Sequence, residues 1–293
     1  MNIFQIAVFR NFVTYIWMES LFSDISHDNI HVVSHAVVPP LDNFIKLLFA
    51  SEGQPSFAQE RILPDGCASL LFNFNGTIHA KSVDQSVTLP DCFISGVTSS
   101  YFDLSYSGRH EQVGIIFKPY GAFALLNIPM SEFYNTAIDV RLITKHIFRE
   151  VFERMRELVS LQQRLSLLNN FLLKQLSTKV IEPPMPYLTS LLQTDANASI
   201  KQLADRVGFS QQHVSRLFRK HIGVNPKMIQ RILRFKNAVS LIRQGQGNLT
   251  DTGYEANYYD QSHFINEFHS LGGISPGKLL IHSSDTIDRI AIM

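Results

Sequence analysis

The stretch Ser199–Lys220, which reads SIKQLADRVGFSQQHVSRLFRK, decides the fold of the C-terminal part of this chain. Its first apolar residues recur every three or four positions, as in a helix that buries one face: Ile200, Leu203, Ala204 and Val207. Gly208 permits the positive φ that a sharp turn needs, and Phe209 is expected to anchor that turn in the core. Ser199 and Ser210 are typical helix N-caps, so the stretch predicts two short helices joined by a tight turn.

A second stretch, Asn248–Ser270, repeats this plan about fifty residues further along the chain and reads NLTDTGYEANYYDQSHFINEFHS. Asn257 stands at the turn position that Gly208 holds in the first copy, and asparagine also tolerates the left-handed conformation. Asp260 is the expected N-cap of the helix that follows. The buried stripe of that helix is predicted to consist of Phe264, Ile265 and Phe268.

The two copies also end alike, in Gly223-Val-Asn-Pro226 and in Gly273-Ile-Ser-Pro276, and a proline in the first turn favours the start of another helix. Between the copies, Pro226–Arg243 predicts one connecting helix, about 27 Å long at about 1.5 Å per residue. Successive major-groove faces of DNA lie about 34 Å apart. With side chains and some bending of the DNA, this connector could place the second helix of each copy on one side of a duplex.

The outward side chains of each second helix are of the kinds that read bases. Glutamine and arginine can make paired hydrogen bonds to adenine and guanine edges in the major groove. In the first copy these side chains are Gln211, Gln212, Ser215, Arg216, Arg219 and Lys220, and in the second copy they are Gln261, Ser262 and Asn266. Lys227, near the start of the connecting helix, is expected to lie closer to the DNA backbone. The alternative is that both faces are the solvated surfaces of ordinary helical hairpins.

Residues 187–282 resemble the DNA-binding domain of the AraC/XylS family of transcriptional regulators. The first copy carries Ile200-x-x-Leu-Ala-x-x-Val-Gly-Phe-Ser210, and the second carries Tyr258-Tyr-Asp-Gln-Ser-His-Phe264. The resemblance implies double-stranded DNA as a partner, with RNA polymerase as a further candidate. It also implies which positions face bases: Gln212, Ser215, Arg216, Gln261, Ser262 and Asn266.

The second copy departs from the family pattern at three places. It has Thr252-Gly253 where an Ile-Ala pair is usual, and Asn266 and His269 where basic residues are common. A glycine inside a helix costs about 1 kcal/mol relative to alanine. Charge is also unequal, because residues 196–236 hold nine basic residues and one acid, whereas residues 245–282 hold one basic residue and four acids. We therefore expect the first copy to dominate the affinity for DNA.

The N-terminal part has a β-rich pattern. Glycines and a proline separate apolar and aromatic runs, which predict strands at Ala68–Asn75, Cys92–Val97, Tyr101–Tyr106 and Gln112–Phe117. Gly108 is expected to interrupt the β-structure between the last two of these strands. Helical periodicity then runs from Val140 to Ser177, and Glu182-Pro-Pro-Met-Pro186 cannot continue a helix. The long apolar stripe of these helices has two explanations, a dimerisation surface or packing on the domain's own sheet.

The predicted fold class is α+β: a β-rich N-terminal domain with trailing helices, then an all-α domain of two helix-turn-helix units joined by a long helix. The predicted boundaries are a leader of uncertain status at 1–34, a sensor or dimerisation domain at 35–176, a linker at 177–186, the DNA-binding domain at 187–282 and a tail at 283–293. The segment Pro40–Leu142, with Leu63-Pro-Asp-Gly66, resembles a poorly characterised domain found ahead of this DNA-binding module. That resemblance implies no particular ligand, so a small-molecule effector and a homodimer are both candidate partners.

Membrane insertion is not predicted. The apolar run Ile3–Met18 is interrupted by Arg10 and is shorter than the roughly 20 residues that span a bilayer. A first strand or helix packed on the sensor domain is favoured, and Met18 as the true start is left open. A cytoplasmic location is expected, because Cys67 and Cys92 form no CxxC motif and fit small apolar fillers of a reducing compartment.

Catalytic and metal-binding signals are weak. His27, His31 and His35 would align on a helix as metal ligands, but the valines between them indicate extended structure. We therefore predict neither a metal nor a cofactor. No pairing of a nucleophile with a base is recognisable, so an enzyme is not predicted. The alternative is an enzyme or metal-dependent sensor domain that the C-terminal module targets to DNA, and a pocket with clustered titratable groups would favour it.

Overall fold

Alternating apolar side chains in the first half of the chain build one antiparallel sheet, and helices follow it, which confirms the α+β fold class. The computed structural model describes residues 24–27, 29–55, 59–83, 85–143, 147–176, 184–195, 198–244, 248–281 and 289–292. The strands within these ranges are β1 (Asp24–His27), β2 (Ile30–His35), β3 (Ile45–Gly53), β4 (Glu60–Leu63), β5 (Ser69–Lys81), β6 (Ser86–Thr88), β7 (Cys92–Ser95), β8 (Phe102–Phe117), β9 (Ala137–Asp139) and β10 (Arg289–Ile292).

The sheet is organised around the long strand β8. The strand order is β1-β2-β3-β8-β5-β7-β9, while β4 pairs with the first residues of β8 and β6 pairs with the far end of β5. The two strands predicted at Tyr101–Tyr106 and Gln112–Phe117 are therefore one continuous strand. Gly108 does not break it, because it lies with positive φ beside Gly76, where the pairing of β5 with β8 shifts register. Two glycines let both strands bend together there.

Both ends of the chain differ from the predicted boundaries. β1 and β2 pair with each other, and β2 pairs with β3, so Asp24–His27 and Ile30–His35 belong to the sheet although they overlap the predicted leader. His31 and His35 lie in an extended strand, as the valines predicted. The predicted tail contains β10, which pairs in parallel with β4. The apolar run Ile3–Met18 lies outside the described residues.

The helices after the sheet cover one of its faces. They are α1 (Gly121–Leu126), α2 (Val140–Ile143), α3 (Ile147–Arg156) and α4 (Leu161–Leu176). Phe152 of α3 and Leu165 of α4 share a buried core with Phe72 and Ile115 of the sheet, and Cys92 is buried in the same core. The apolar faces of α3 and α4 thus pack on the domain's own sheet, which favours that explanation over a dimerisation surface.

Within the described residues, the C-terminal part has seven helices. They are α5 (Met185–Thr194), α6 (Ile200–Val207), α7 (Gln211–His221), α8 (Pro226–Gln244), α9 (Leu249–Glu255), α10 (Gln261–Gly272) and α11 (Pro276–Ile281). α8 is the predicted connecting helix. α5 starts inside the predicted linker and packs on the core of the first helical unit through Met185 and Leu188. Residues 177–183 of that linker lie outside the described residues.

Two predictions about core residues are wrong. Phe209 is 41% exposed and its ring contacts that of His213 at an inclined angle, with the centroids 4.5 Å apart, whereas its counterpart Tyr258 is buried. Ile265 is 40% exposed. The inner face of α10 is set by Phe264 and Phe268, and Ile265 is rotated by about 100° from the first of these because a helix has 3.6 residues per turn.

Candidate nucleic-acid interface

Local hydrogen bonds fix the first helix-turn-helix unit, α6–α7. Ser199 and Gln202 form a capping box, in which the amide of Gln202 donates to Oγ of Ser199 at 3.2 Å and the amide of Ser199 donates to Oε1 of Gln202 at 2.6 Å. Gly208 has a φ of 69° and ends α6. Oγ of Ser210 accepts from the amide of His213 at 3.2 Å and starts α7. Capping and turn positions are therefore as the sequence predicted.

The second unit, α9–α10, is held in the same way. Oδ1 of Asn248 accepts from the amides at positions 250 and 251, at 2.9 and 3.0 Å. Asn257 has a φ of 64°, and Oδ1 of Asp260 accepts from the amide of His263 at 2.7 Å. The buried hydroxyl of Thr252 donates to the carbonyl of Asn248 at 3.0 Å, so its burial leaves no unsatisfied donor.

Gly253, the other departure from the family pattern, has a packing explanation. A β-carbon at this position would lie 3.2 Å from Cδ1 of Phe264, which is completely buried. Helix α9 thus approaches α10 more closely than an alanine would comfortably allow.

The structure brings most of the predicted reading residues of α7 together. Gln211, Gln212, Ser215, Arg216 and Arg219 line one shallow surface groove, together with Ile200. Lys220 is different, because its Nζ lies over the ring of Phe123 of the N-terminal domain, 5.0 Å from the centroid. The prediction that Lys220 shares the DNA-facing surface is therefore not supported by its position. In the second unit, Gln261, Ser262 and Asn266 are all exposed on α10, and Lys227 is exposed at the start of α8.

The guanidinium of Arg216 is held in place before any DNA is bound. Its Nη2 lies 2.9 Å from Nδ1 of His213, one turn earlier on the same helix face. The His213 ring in turn packs at an inclined angle against the ring of Phe209. A histidine that accepts this hydrogen bond through Nδ1 fixes the direction of the arginine, which reduces the side-chain entropy lost on contact with a base.

One carboxylate joins the second reading helix to the connector. Glu267 of α10 is buried, and its Oε2 and Oε1 accept from Arg231 at 3.1 Å and from Arg234 at 3.3 Å, both on α8. Nε2 of His263 lies 3.5 Å from Oε2 of the same residue. Two of the nine basic residues counted for the first copy are thus paired with an acid of the second copy. Sequence reasoning missed this cluster, because only the folded packing of α10 on α8 brings the three residues together.

The N-terminal domain packs directly on both helical units. Val97 lies in the core of the first unit, and the ring of Phe123 contacts that of His221 at the end of α7, tilted by 45° with the ring centroids 4.1 Å apart. Leu63 lies in the core of the second unit, and the ring of Tyr101 packs against the same core. The reading faces of α7 and α10 remain exposed.

The N-terminal domain also contains a cavity of about 520 Å³ on the sheet face opposite α3 and α4. Its apolar wall includes Leu47, Phe49 and Ile116. Its described lining contains one carboxylate, Glu60, which accepts from the hydroxyl of Tyr106 at 3.1 Å.

One hydroxyl–histidine pair of the sheet is buried away from the cavity. Ser51 and His110 lie 2.8 Å apart, but both are buried and neither lines the cavity. Burial lowers the pKa of His110 to about 4, and burial raises the pKa of the Cys67 thiol to about 12. Within the described ranges, no cluster of three or more histidine, cysteine, aspartate and glutamate side chains is placed to bind a metal ion.

Comparison with family models gives two matches. Residues 203–282 match a helix-turn-helix domain, and residues 33–139 match a domain of unknown function (DUF6597). The resemblance drawn from the sequence is thereby confirmed: the chain carries an AraC-type helix-turn-helix domain, a DNA-binding module of transcriptional regulators, behind an N-terminal domain of unknown function.

Two curated relatives match part of the chain. An uncharacterized HTH-type transcriptional regulator of Haemophilus influenzae is 29% identical over 92 residues, which is 31% of each chain. The HTH-type transcriptional regulator GlxA of Rhizobium meliloti is 31% identical over 77 residues, 26% of this chain and 24% of that protein. The chain thus matches about a third or less of the length of these relatives.

ToxT from Vibrio cholerae O395 is among the solved structures that match part of the chain. It is 14% identical, the match covers 76% of this chain and 96% of that chain, and the TM-score is 0.42. The AraC-like transcriptional activator CuxR matches over 72% of this chain and 78% of its own, with 9% identity and a TM-score of 0.25. Among the helices that the structure describes, none is long and apolar enough to cross a membrane.

Proposed function

We propose that this protein is a sequence-specific DNA-binding transcriptional regulator that reads adjacent major-groove segments with α7 and α10. One observation carries the proposal: each unit presents a capped helix with an exposed polar face, and a single connecting helix lies between the two units along the chain. α8 has 19 residues, which makes it about 28 Å long at about 1.5 Å per residue. With side chains and modest bending of the DNA, that length suits two groove segments about 34 Å apart.

The proposed roles follow from exposure and chemistry. Gln212, Ser215 and Arg216 contact base edges in the first segment, with Gln211 and Arg219 beside them in the same groove. Gln261, Ser262 and Asn266 contact the second segment. Lys227 contacts phosphate, because it lies at the start of α8, off both reading helices. Lys220 is assigned to the domain contact with Phe123 instead.

We further propose that the N-terminal domain modulates DNA binding through a small molecule held in its cavity. Ligand sites are usually concave, mainly apolar and furnished with a few polar groups, and the cavity combines these properties. The alternative is an enzyme domain. Ser51 and His110 do not support it, because both are buried and this pair is not accessible to a substrate. RNA polymerase and a second copy of the chain remain proposed partners, and a cytoplasmic location follows from DNA as the target.

Paired alanine substitutions in the full-length protein test the reading role. Arg216→Ala should weaken binding to the preferred site by about 1–3 kcal/mol and relax the preference at one base pair, because a paired hydrogen bond to guanine is lost. Lys227→Ala should weaken all sequences alike and reduce the salt dependence, since it removes only a phosphate contact. The measurement is the affinity for a panel of sites with single base-pair changes. If Arg216→Ala weakens every site equally, the base-reading role is wrong.

A further inference from the structure

Tyr101 is at once a wall of the cavity and a contact of the second reading helix. It immediately precedes β8 and lines the cavity together with Phe102 and Ser100. On its other side, its ring lies so close to Gly273 that a β-carbon there would overlap it. Gly273 ends α10 with a φ of 69°. One side chain therefore separates the cavity from the end of the helix that is proposed to read the second segment.

Arg61 fixes that side chain in place. Its guanidinium lies 3.8 Å from the centroid of the Tyr101 ring, and it bonds the carboxylate of Asp103 through two hydrogen bonds of 2.7 and 2.9 Å. Its Nη1 also lies 3.5 Å from the carbonyl of Gly272, the last residue of α10. A cation at the C-terminal end of a helix is favourable, because the last carbonyls carry partial negative charge.

The same two strands that hold this contact also wall the cavity. Arg61 of β4 is directly opposite Asp103 of β8. Side chains alternate between the two faces of a strand, and the neighbours on both strands line the cavity: Glu60, Ile62, Phe102 and Leu104. The β4–β8 ribbon thus has the cavity on one face and the end of α10 on the other.

The first reading helix is linked to the cavity less directly, because the carbonyl of Val97 accepts from the amide of Asn135 at 3.1 Å and Asn135 lines the cavity. Its contacts with the N-terminal domain involve Val97, Phe123 and Met130, next to His221 and Gly223, and none of these residues lines the cavity. A change in the shape of the cavity therefore reaches α10 before it reaches α7.

We propose that occupancy of the cavity is transmitted to the second reading helix through Tyr101 and Arg61, so that the ligand alters binding to the second DNA segment more than binding to the first. This inference rests on the proposed function, in which the cavity holds an effector. A ligand that pushes the Tyr101 ring towards α10 must also move Gly273, because the ring already lies against that residue.

The lining indicates the class of ligand. Leu47, Phe49 and Ile116 offer an apolar surface, whereas Thr98, Ser100 and Asn135 place hydroxyl and amide groups at the end that holds Tyr101. Oδ1 of Asn135 accepts from the amide of Ser99 at 2.7 Å, which ties this polar end to the segment that leads into Tyr101. The ligand is thus a mainly apolar molecule with a hydrogen-bonding group that faces Tyr101.

The coupling can be measured with the uncharged fluorescent probe N-phenyl-1-naphthylamine on the full-length protein. Coupling between two sites is reciprocal, so DNA must change the affinity for the probe if the probe changes the affinity for DNA. We expect the Kd of the probe to differ by about fivefold or more between DNA with both segments and DNA with the second segment scrambled. In Tyr101→Leu this difference should fall below about twofold, while binding to the first segment stays within about twofold of wild type.

Phe93→Leu is the matched control, because Phe93 also lines the cavity but lies on β7. It should retain the coupling even where it alters the affinity for the probe. Two results with a bound probe would refute the coupling: DNA changes the Kd of the probe by the same factor in wild type and in Tyr101→Leu, or DNA changes it in neither protein. In both cases the DNA-reading role stands. If no probe binds, the ligand-binding part of the proposed function fails and the coupling fails with it. Preserved binding to the first segment shows that Tyr101→Leu is folded.

Discussion

Replacing Glu267 by glutamine removes the carboxylate that joins α10 to the connector. The side chain of Glu267 is 8% exposed, whereas those of Arg231 and Arg234 are 28% and 16% exposed. Glutamine keeps the size of the side chain but not its charge. Two guanidinium groups would then lie close together, with only a neutral oxygen between them.

The expected loss of stability follows from this burial. Removing one partner of a fully buried ion pair costs about 3–5 kcal/mol, because the remaining charge is left without compensation. Arg231 keeps part of its hydration, and a surface pair contributes only about 0–1 kcal/mol. For a buried acid between two partly exposed arginines, we expect Glu267→Gln to lower the free energy of unfolding by about 2–3 kcal/mol.

Urea unfolding of the full-length protein, followed by circular dichroism, measures this loss. Glu255→Gln is the matched control, because Glu255 is an exposed acid of the same helical unit, and its substitution should change the stability by less than about 0.5 kcal/mol. A loss for Glu267→Gln that is no larger than the control value would refute the argument that this cluster holds α10 on α8.

Three further predictions follow from single contacts. Gly253→Ala should fail to stabilise the protein in urea unfolding despite a helix-propensity gain of about 1 kcal/mol, because the added methyl group would crowd Phe264. The control is Gly277→Ala, whose β-carbon would make an ordinary 3.7 Å contact and which should not be destabilising. A Gly253→Ala variant that is more stable than wild type would contradict the packing argument. Because the pKa of His110 is lowered from 6.5 to about 4, the unfolded chain binds more protons than the folded one between these pH values, so stability should fall as the pH drops, by about 2 kcal/mol at pH 5 relative to neutral pH. His110→Gln should remove that part of the pH dependence, and an unchanged pH profile would count against it. Asn266→Arg should raise the affinity for DNA and steepen the log–log salt dependence by up to about 0.9 if one phosphate is newly neutralised, whereas an unchanged slope in a salt titration would exclude a new phosphate contact.

Features that depend on a few neighbouring residues could be predicted from the sequence. The caps at Ser199, Ser210 and Asp260 and the turns at Gly208 and Asn257 were all placed correctly. Each requires only a side-chain oxygen or a left-handed residue at one position, so local chemistry is sufficient. The exposed residues of the reading faces followed from the same helical periodicity.

Features that depend on packing between distant segments could not be predicted. The pairing of Glu267 with Arg231 requires the two helices to be in contact, and Lys220 lies over Phe123 only because the N-terminal domain packs on α7. Phe209 has the residue type of a core position, yet the first unit leaves it at the surface. The continuity of β8 through Gly108 was missed because glycine usually marks a turn, and only the facing Gly76 shows that both strands bend there.

Selection of DNA sequences bound by the full-length protein, followed by separate scrambling of each selected segment, tests the central claim most directly. Two reading helices on one connector predict two blocks of preferred bases about 10 base pairs apart. Scrambling either block should weaken binding, and the first block should cause the larger loss because it is read by the unit that carries Arg216 and Arg219. Selection of a single block, or of no preferred sequence, would contradict the two-helix account.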